Sequence, residues 1–116
     1  MKKEEKSIFV QVFGDAPLIK VLDFFLCEGL YFDYSLTDIA KYSGVSWRTL
    51  HFIIPKLLKL GVIEETRQIG RAKLYKLDKE NVISKRLLET EFKLASDFAD
   101  KTIAEQLKTH KIALKV

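Results

Sequence analysis

The run Ser35-Leu36-Thr37-Asp38-Ile39-Ala40-Lys41-Tyr42-Ser43-Gly44-Val45-Ser46-Trp47-Arg48-Thr49-Leu50 holds two helix starts and one helix stop. Ser35, with Asp38 three residues on, resembles a capping box in which Asp stands for the usual Glu. Leu36, Ile39, Ala40 and Tyr42 or Ser43 then fill about two helical turns. Gly44 supplies the left-handed conformation that lets the chain leave sharply. Val45 plugs the turn and Ser46 caps a second helix. Leu50, Ile53 or Ile54, Leu57, Leu58 and Leu60 form its buried stripe, and Gly61 ends it. Two strands follow, Val62–Arg67 and Ala72–Leu77, around the tip Gln68-Ile69-Gly70-Arg71. Ile63, Leu74 and Leu77 read as facing inward.

Working outward, Met1–Lys6 is charged and reads as frayed. Ile8, Phe9, Val12 and Phe13 suit one face of a short helix over Ser7–Phe13, with a strand as the alternative. Asp15 reads as the cap of a helix with Pro17 in its first turn. Leu18, Val21, Leu22, Phe25 and Leu26 carry that helix to about Cys27, and Gly29 ends it. The aromatic loop Leu30–Tyr34 is expected to pack back onto the core. After the hairpin, Asp78 or Asn81 caps a long helix reaching His110. Its residues Leu88, Phe92, Ala95, Ala99 and Ile103 recur at nearly coiled-coil spacing. The expected fold class is α+β and mainly helical. Its divisions are an N-terminal segment 1–14, a central domain 15–77 and a C-terminal helix 78–116, with only a soft boundary near Asp78.

The chain has 116 residues, 47% hydrophobic and 31% charged, enough for one domain with a real core. No apolar run approaches the length of about 20 residues that crosses a bilayer, and the Lys/Glu-rich start is not a signal peptide. The single cysteine, Cys27, has no intramolecular disulfide partner, which fits a reducing cytoplasm. The net charge of +4 is unevenly spread. Residues 1–34 hold four basic and six acidic groups, residues 35–77 eight and three, and residues 78–116 eight and seven. The positive excess therefore lies on the central segment, as a polyanion-binding surface requires.

Two short capped helices joined by a Gly turn and followed by a hairpin make a shape that fits a DNA major groove and the backbone beside it. The order of elements resembles the winged helix-turn-helix of bacterial and archaeal transcription regulators, most closely the small archaeal ones. The likeness covers about residues 15–77. It rests on Leu36-Thr37-Asp38-Ile39-Ala40 in the first helix and on the helix-to-strand junction Leu58-Lys59-Leu60-Gly61-Val62-Ile63-Glu64. The resemblance implies a recognition helix at about Trp47–Leu60 and a wing at about Arg67–Lys73, usually presented by a dimer.

With Leu50, Ile54 and Leu57 inward, Trp47, Arg48, His51 and Phe52 fall at or near the outer face. Arg48 has the planar fork that matches guanine in the major groove, and is otherwise a phosphate clamp or a solvated arginine. Ser46 and Thr49 suit phosphate, although Ser46 is first of all a cap. Trp47 either touches a thymine methyl or packs as a staple on its own domain, the second being favoured. His51 reaches a phosphate or base, Lys41 on the preceding helix a phosphate. Arg67, Arg71 and Lys73 flank the wing's Gly and suit the backbone or the minor groove. Pro55 lies well inside the recognition helix. A proline there removes a hydrogen bond at a cost of about 3 kcal/mol, so a kink with continuation is expected.

Leu88, Phe92, Ala95, Ala99 and Ile103 are the expected homodimer seam, with Phe92 and Phe98 as anchors. A two-fold dimer would set two recognition helices one helical turn of DNA apart. The expected function is sequence-specific binding of double-stranded DNA as a transcription regulator. The competing reading is a winged-helix protein-interaction module that touches no nucleic acid. No nucleophile–base pairing or phosphate-cradling Gly loop points to an enzyme, and no cofactor is implied. A metal site is not expected, because His51 and His110 have no Cys/His ligand spacing around them. Cys27 reads as a core residue.

Overall fold

Val21, Phe25, Ile39, Leu50, Ile63 and Leu77 are sealed from solvent and come from five different elements, which they bind into one core. The computed structural model describes residues 7–115, and the side chains of residues 7–101. The elements run α1 (Ile8–Phe13), α2 (Pro17–Cys27), β1 (Tyr34–Ser35), α3 (Leu36–Ser43), α4 (Trp47–Leu60), β2 (Ile63–Ile69), β3 (Ala72–Leu77) and α5 (Val82–Lys115). The strands form one antiparallel sheet in the order β1-β3-β2. This is the mainly helical α+β winged-helix architecture that the sequence leads one to expect.

Local chemistry explains most boundaries. Ser7 caps α1 through the Val10 N–H. Pro17 opens α2, which makes Ala16 the cap residue rather than Asp15. A residue before proline is pushed into extended backbone, and Ala16 lies there at φ −59°, ψ 151°. Ser35 accepts from the Asp38 N–H and Ser46 from the Thr49 N–H, as anticipated. Gly44 and Gly61 end α3 and α4 in the left-handed region at φ 75° and 78°. The choice at α5 falls to Asn81, whose Oδ1 accepts from the N–H groups of Ile83 and Ser84. Asp78 accepts from the Glu80 N–H in the turn before it.

Several expectations are corrected. In α1 the buried residues are Phe9 and Val10, while Val12 and Phe13 are exposed. Tyr31 and Phe32 also stand in solvent, 70% and 65% exposed, so the loop before β1 packs inward only through Leu30 and Tyr34. The pairing of Tyr34 with Tyr75 and Ser35 with Leu74 forms a third strand too short to show any periodicity in sequence. In α4, Leu58 and Leu60 lie on opposite flanks, about 80° from the stripe centre at 3.6 residues per turn. Leu58 packs on the core and Leu60 stays 47% exposed. The hairpin turns on Gly70 and Arg71 alone, because Ile69 already pairs with Ala72. Tyr75 joins Leu74 and Leu77 among the buried strand residues.

The C-terminal helix is anchored to the domain at its start. Ser84 is sealed, its hydroxyl donating 2.9 Å to the Val62 carbonyl, and Leu87 and Leu88 pack against the core. Leu88, expected in the dimer seam, is thus partly covered by its own chain. Phe9 from the 1–14 segment shares this core. Beyond Glu91 the helix leaves Phe92 and Phe98 78% and 49% exposed, with Ala95 and Ala99 exposed beside them. At 34 residues the helix is about 51 Å long at 1.5 Å per residue, and it continues past the expected stop at His110. The expectations for Met1–Lys6 and for the side chain of Ile103 lie outside the described residues.

Candidate nucleic-acid interface

The outer face of α4 follows from its inner one. Leu50, Ile53, Ile54 and Leu57 are buried, so helical geometry sets Arg48, Phe52, Pro55 and Lys59 opposite them, and all four are exposed. Trp47 and His51 share one flank. Trp47 is 51% exposed, and its ring meets His51 edge-on at 4.8 Å. Its ring thus packs in part along its own helix. Phe52, 76% exposed, adds an apolar ring to the groove-sized face. No carboxylate occurs anywhere in α4, so nothing on this face repels a phosphate or a base acceptor.

The first turn is held by its own cap. The Ser46 hydroxyl accepts from the Thr49 N–H at 3.2 Å and donates to the Thr49 hydroxyl at 2.9 Å. Both side chains thus serve the cap, with Thr49 half-buried. Pro55 does not break α4, which runs as one helix from Trp47 to Leu60. Its ring sits on the exposed side, where water can solvate the carbonyl that a proline leaves without a partner. On α3, Lys41 is exposed and its ammonium lies 5.6 Å over the Tyr42 ring.

The wing is built around a register shift. Glu65 pairs with Tyr75 and Arg67 with Leu74, leaving Thr66 as an extra residue. Such a bulge bends its strand and re-aims side chains. Here Thr66 and Arg67 both reach Asp33 in the loop before β1. The Arg67 Nε and Nη2 donate to the two Asp33 carboxylate oxygens at 2.9 and 3.1 Å, and the Thr66 hydroxyl donates to the same carboxylate. These bonds hold the Asp33 carboxyl down at about 2. Beyond this clasp Ile69, Arg71, Ala72 and Lys73 are exposed around the tip, where Gly70 takes φ 61°. Ile69, 56% exposed, is an apolar tip residue that charge counting passes over.

Two other features involve α2 and its neighbours. Asp23, Cys27 and Glu91 converge with their ligand atoms within 4.8 Å, a grouping hidden in sequence because α5 supplies Glu91. The Cys27 thiol, on an exposed residue rather than in the core, donates 3.2 Å to Glu91. Burial first, then the neighbouring Glu91, Asp23 and Glu28 carboxylates, push that thiol far above its ordinary range. Burial likewise raises the Glu91 carboxyl. An open cleft of about 750 Å³ is lined by Lys20, Phe24, Tyr34, Lys41 and Tyr42 together with Asp15, Asp23 and Glu28. Its charged lining mixes three carboxylates with two lysines.

No family model matches the chain, and none of the curated proteins does. Among solved structures, NadR in complex with 4-hydroxyphenylacetate is similar at a TM-score of 0.57 and 16% identity, over 98% of this chain and 90% of that one. Reduced AbfR bound to DNA is similar at 0.54 and 20%, over 92% and 78%. Disulfide-formed AbfR gives 0.54 and 18%, over 94% and 78%. At these identities the likeness is one of fold, and it covers α1 and α5 as well as the central helices and wing: the chain has the winged-helix fold along nearly its whole length.

Proposed function

We propose that this protein binds double-stranded DNA as a transcription regulator, with the first half of α4 in the major groove and the β2–β3 tip on the backbone or minor groove. One observation carries the reading: the exposed face of α4 presents Trp47, Arg48, His51 and Phe52 with no acidic residue on the helix, on a segment with a five-charge positive excess. Arg48 is the base-reading residue, with its guanidinium suited to guanine. Phe52 and Trp47 offer apolar contact to thymine methyls. His51 and Lys41 meet phosphates, Ser46 and Thr49 hold the helix start, and Arg71 and Lys73 carry the wing's charge. Arg67 shares its charge with Asp33.

The fold shared with AbfR, which has been seen bound to DNA, supports this reading. So does the exposed row Phe92, Ala95, Phe98 and Ala99, which suits pairing with a second copy into a two-fold dimer. The resemblance to small archaeal regulators rests on the sequence motifs alone. A DNA regulator of this kind works in the cytoplasm by binding, without catalysis or a cofactor. The test is selection of a preferred duplex followed by Arg48→Ala. Loss of about 1–3 kcal/mol on that duplex, with relaxed choice at one base pair, is the expected result. Equal affinity of the variant for the selected and scrambled duplexes, with wild type equally indifferent, would defeat it.

A further inference from the structure

Arg67 stands two residues before Ile69 on β2, about 10 Å back from the tip glycine at 3.3 Å per strand residue, close enough to share a phosphate path with Arg71. Yet both its Nε and its Nη2 are spent on Asp33, side by side, in the geometry a guanidinium uses for a phosphate. The arginine side chain is 60% exposed while the aspartate is only 16% exposed, so the carboxylate sits behind and the guanidinium faces out. Thr66 fixes the carboxylate a third time, and the bulge is what brings Thr66 and Arg67 to it together.

We propose that Asp33 is a built-in counter-anion: its carboxylate takes the place of a DNA phosphate on Arg67, neutralises that arginine, and keeps the wing's affinity below what its basic residues allow. Arg71 and Lys73 then engage DNA while Arg67 stays with Asp33. An acidic residue brought in from the loop before β1, outside the recognition helix and the hairpin, thus sets how tightly the hairpin holds DNA. Since a counter-anion has meaning only on a DNA-binding chain, it rests on the function proposed above.

The test is fluorescence anisotropy of full-length protein on a mixed-sequence duplex from 50 to 200 mM salt. Wild type, Asp33→Asn, Arg67→Ala and the double variant are compared, with circular dichroism to confirm folding. Freeing Arg67 adds one phosphate contact, so the slope of log K against log salt should steepen by about 0.9 for each wing engaged in Asp33→Asn. The variant's advantage over wild type should then grow about 3.5-fold per wing between 200 and 50 mM. Arg67→Ala alone should leave the wild-type slope unchanged, and adding it to Asp33→Asn should return the slope to that of wild type.

A wild-type slope in Asp33→Asn overturns the proposal. So does a gain that persists without Arg67, which would mark simple removal of an acidic charge. A shallower slope in Arg67→Ala does the same, and stands even if Asp33→Asn folds poorly. Wild-type protein that shows no salt-dependent binding removes the DNA reading itself, and the counter-anion falls with it.

Discussion

Gly61→Ala and Asn81→Ala probe the joint at which the recognition helix hands the chain to the wing. Gly61 has φ 78°, and a methyl group there would lie 2.6 Å from the Asn81 Nδ2. The left-handed backbone costs an ordinary residue about 1–2 kcal/mol. Asn81 also donates 3.2 Å to the Leu60 carbonyl, a bond worth about 1 kcal/mol net. Its Oδ1 caps α5, worth about 1 kcal/mol more. Asn81→Ala should therefore cost about 2 kcal/mol. Gly61→Ala should cost about 2–3 kcal/mol, because it strains the backbone and drives the same amide off Leu60. In the double variant the Leu60 bond is lost only once. The total should fall about 1 kcal/mol short of the sum of the singles, which urea unfolding of the four proteins measures. Additivity within about 0.3–0.5 kcal/mol would show that Gly61 and Asn81 do not meet as described.

Three further outcomes are expected. Pro55→Ala should raise the urea midpoint, since it restores a helix hydrogen bond, and should alter DNA affinity if the proline aims the first half of α4; unchanged affinity would remove that aiming role. The Cys27 thiol, pushed up by burial and by Glu91, should react with iodoacetamide at pH 7.5 far more slowly than free cysteine, and should speed up in Glu91→Gln; rapid alkylation of wild type would contradict its environment. The Asp33 carboxyl should titrate near 2 by NMR and return toward 3.8 in Arg67→Ala. Its folded value is depressed, so the clasp contributes stability above the ordinary value and loses it as the pH falls from about 4 to about 2. A normal carboxyl in wild type would mean that the clasp does not form in solution.

The parts of the molecule legible in sequence are those whose signals are local. Ser35 with Asp38, Ser46 with Thr49, and the glycines at 44, 61 and 70 each act within a few residues, and they placed α3, α4 and the hairpin closely. The inner face of α4 followed from its spacing, and with it the outer face that carries Arg48. What was hidden depends on partners far along the chain. β1 exists because Tyr34 meets Tyr75 across the sheet, and two residues show no period. Arg67 reads as a free cation until the fold brings Asp33 to it from 34 residues away. Cys27 looks like core on its helix, yet it ends at a polar cluster completed by Glu91 from 64 residues on. Leu88 reads as part of a seam with a second copy, and only the fold shows that the start of α5 also packs it partly against the core.

A duplex DNA titration across salt concentrations on wild type and Arg71→Ala/Lys73→Ala asks whether the protein binds DNA and whether the wing takes part. Binding should weaken linearly in log salt, with a slope shallower by about 1.8 per engaged wing in the variant. Absence of binding at low salt would contradict the DNA-binding reading, and an unchanged slope in the variant would contradict the wing's part in it.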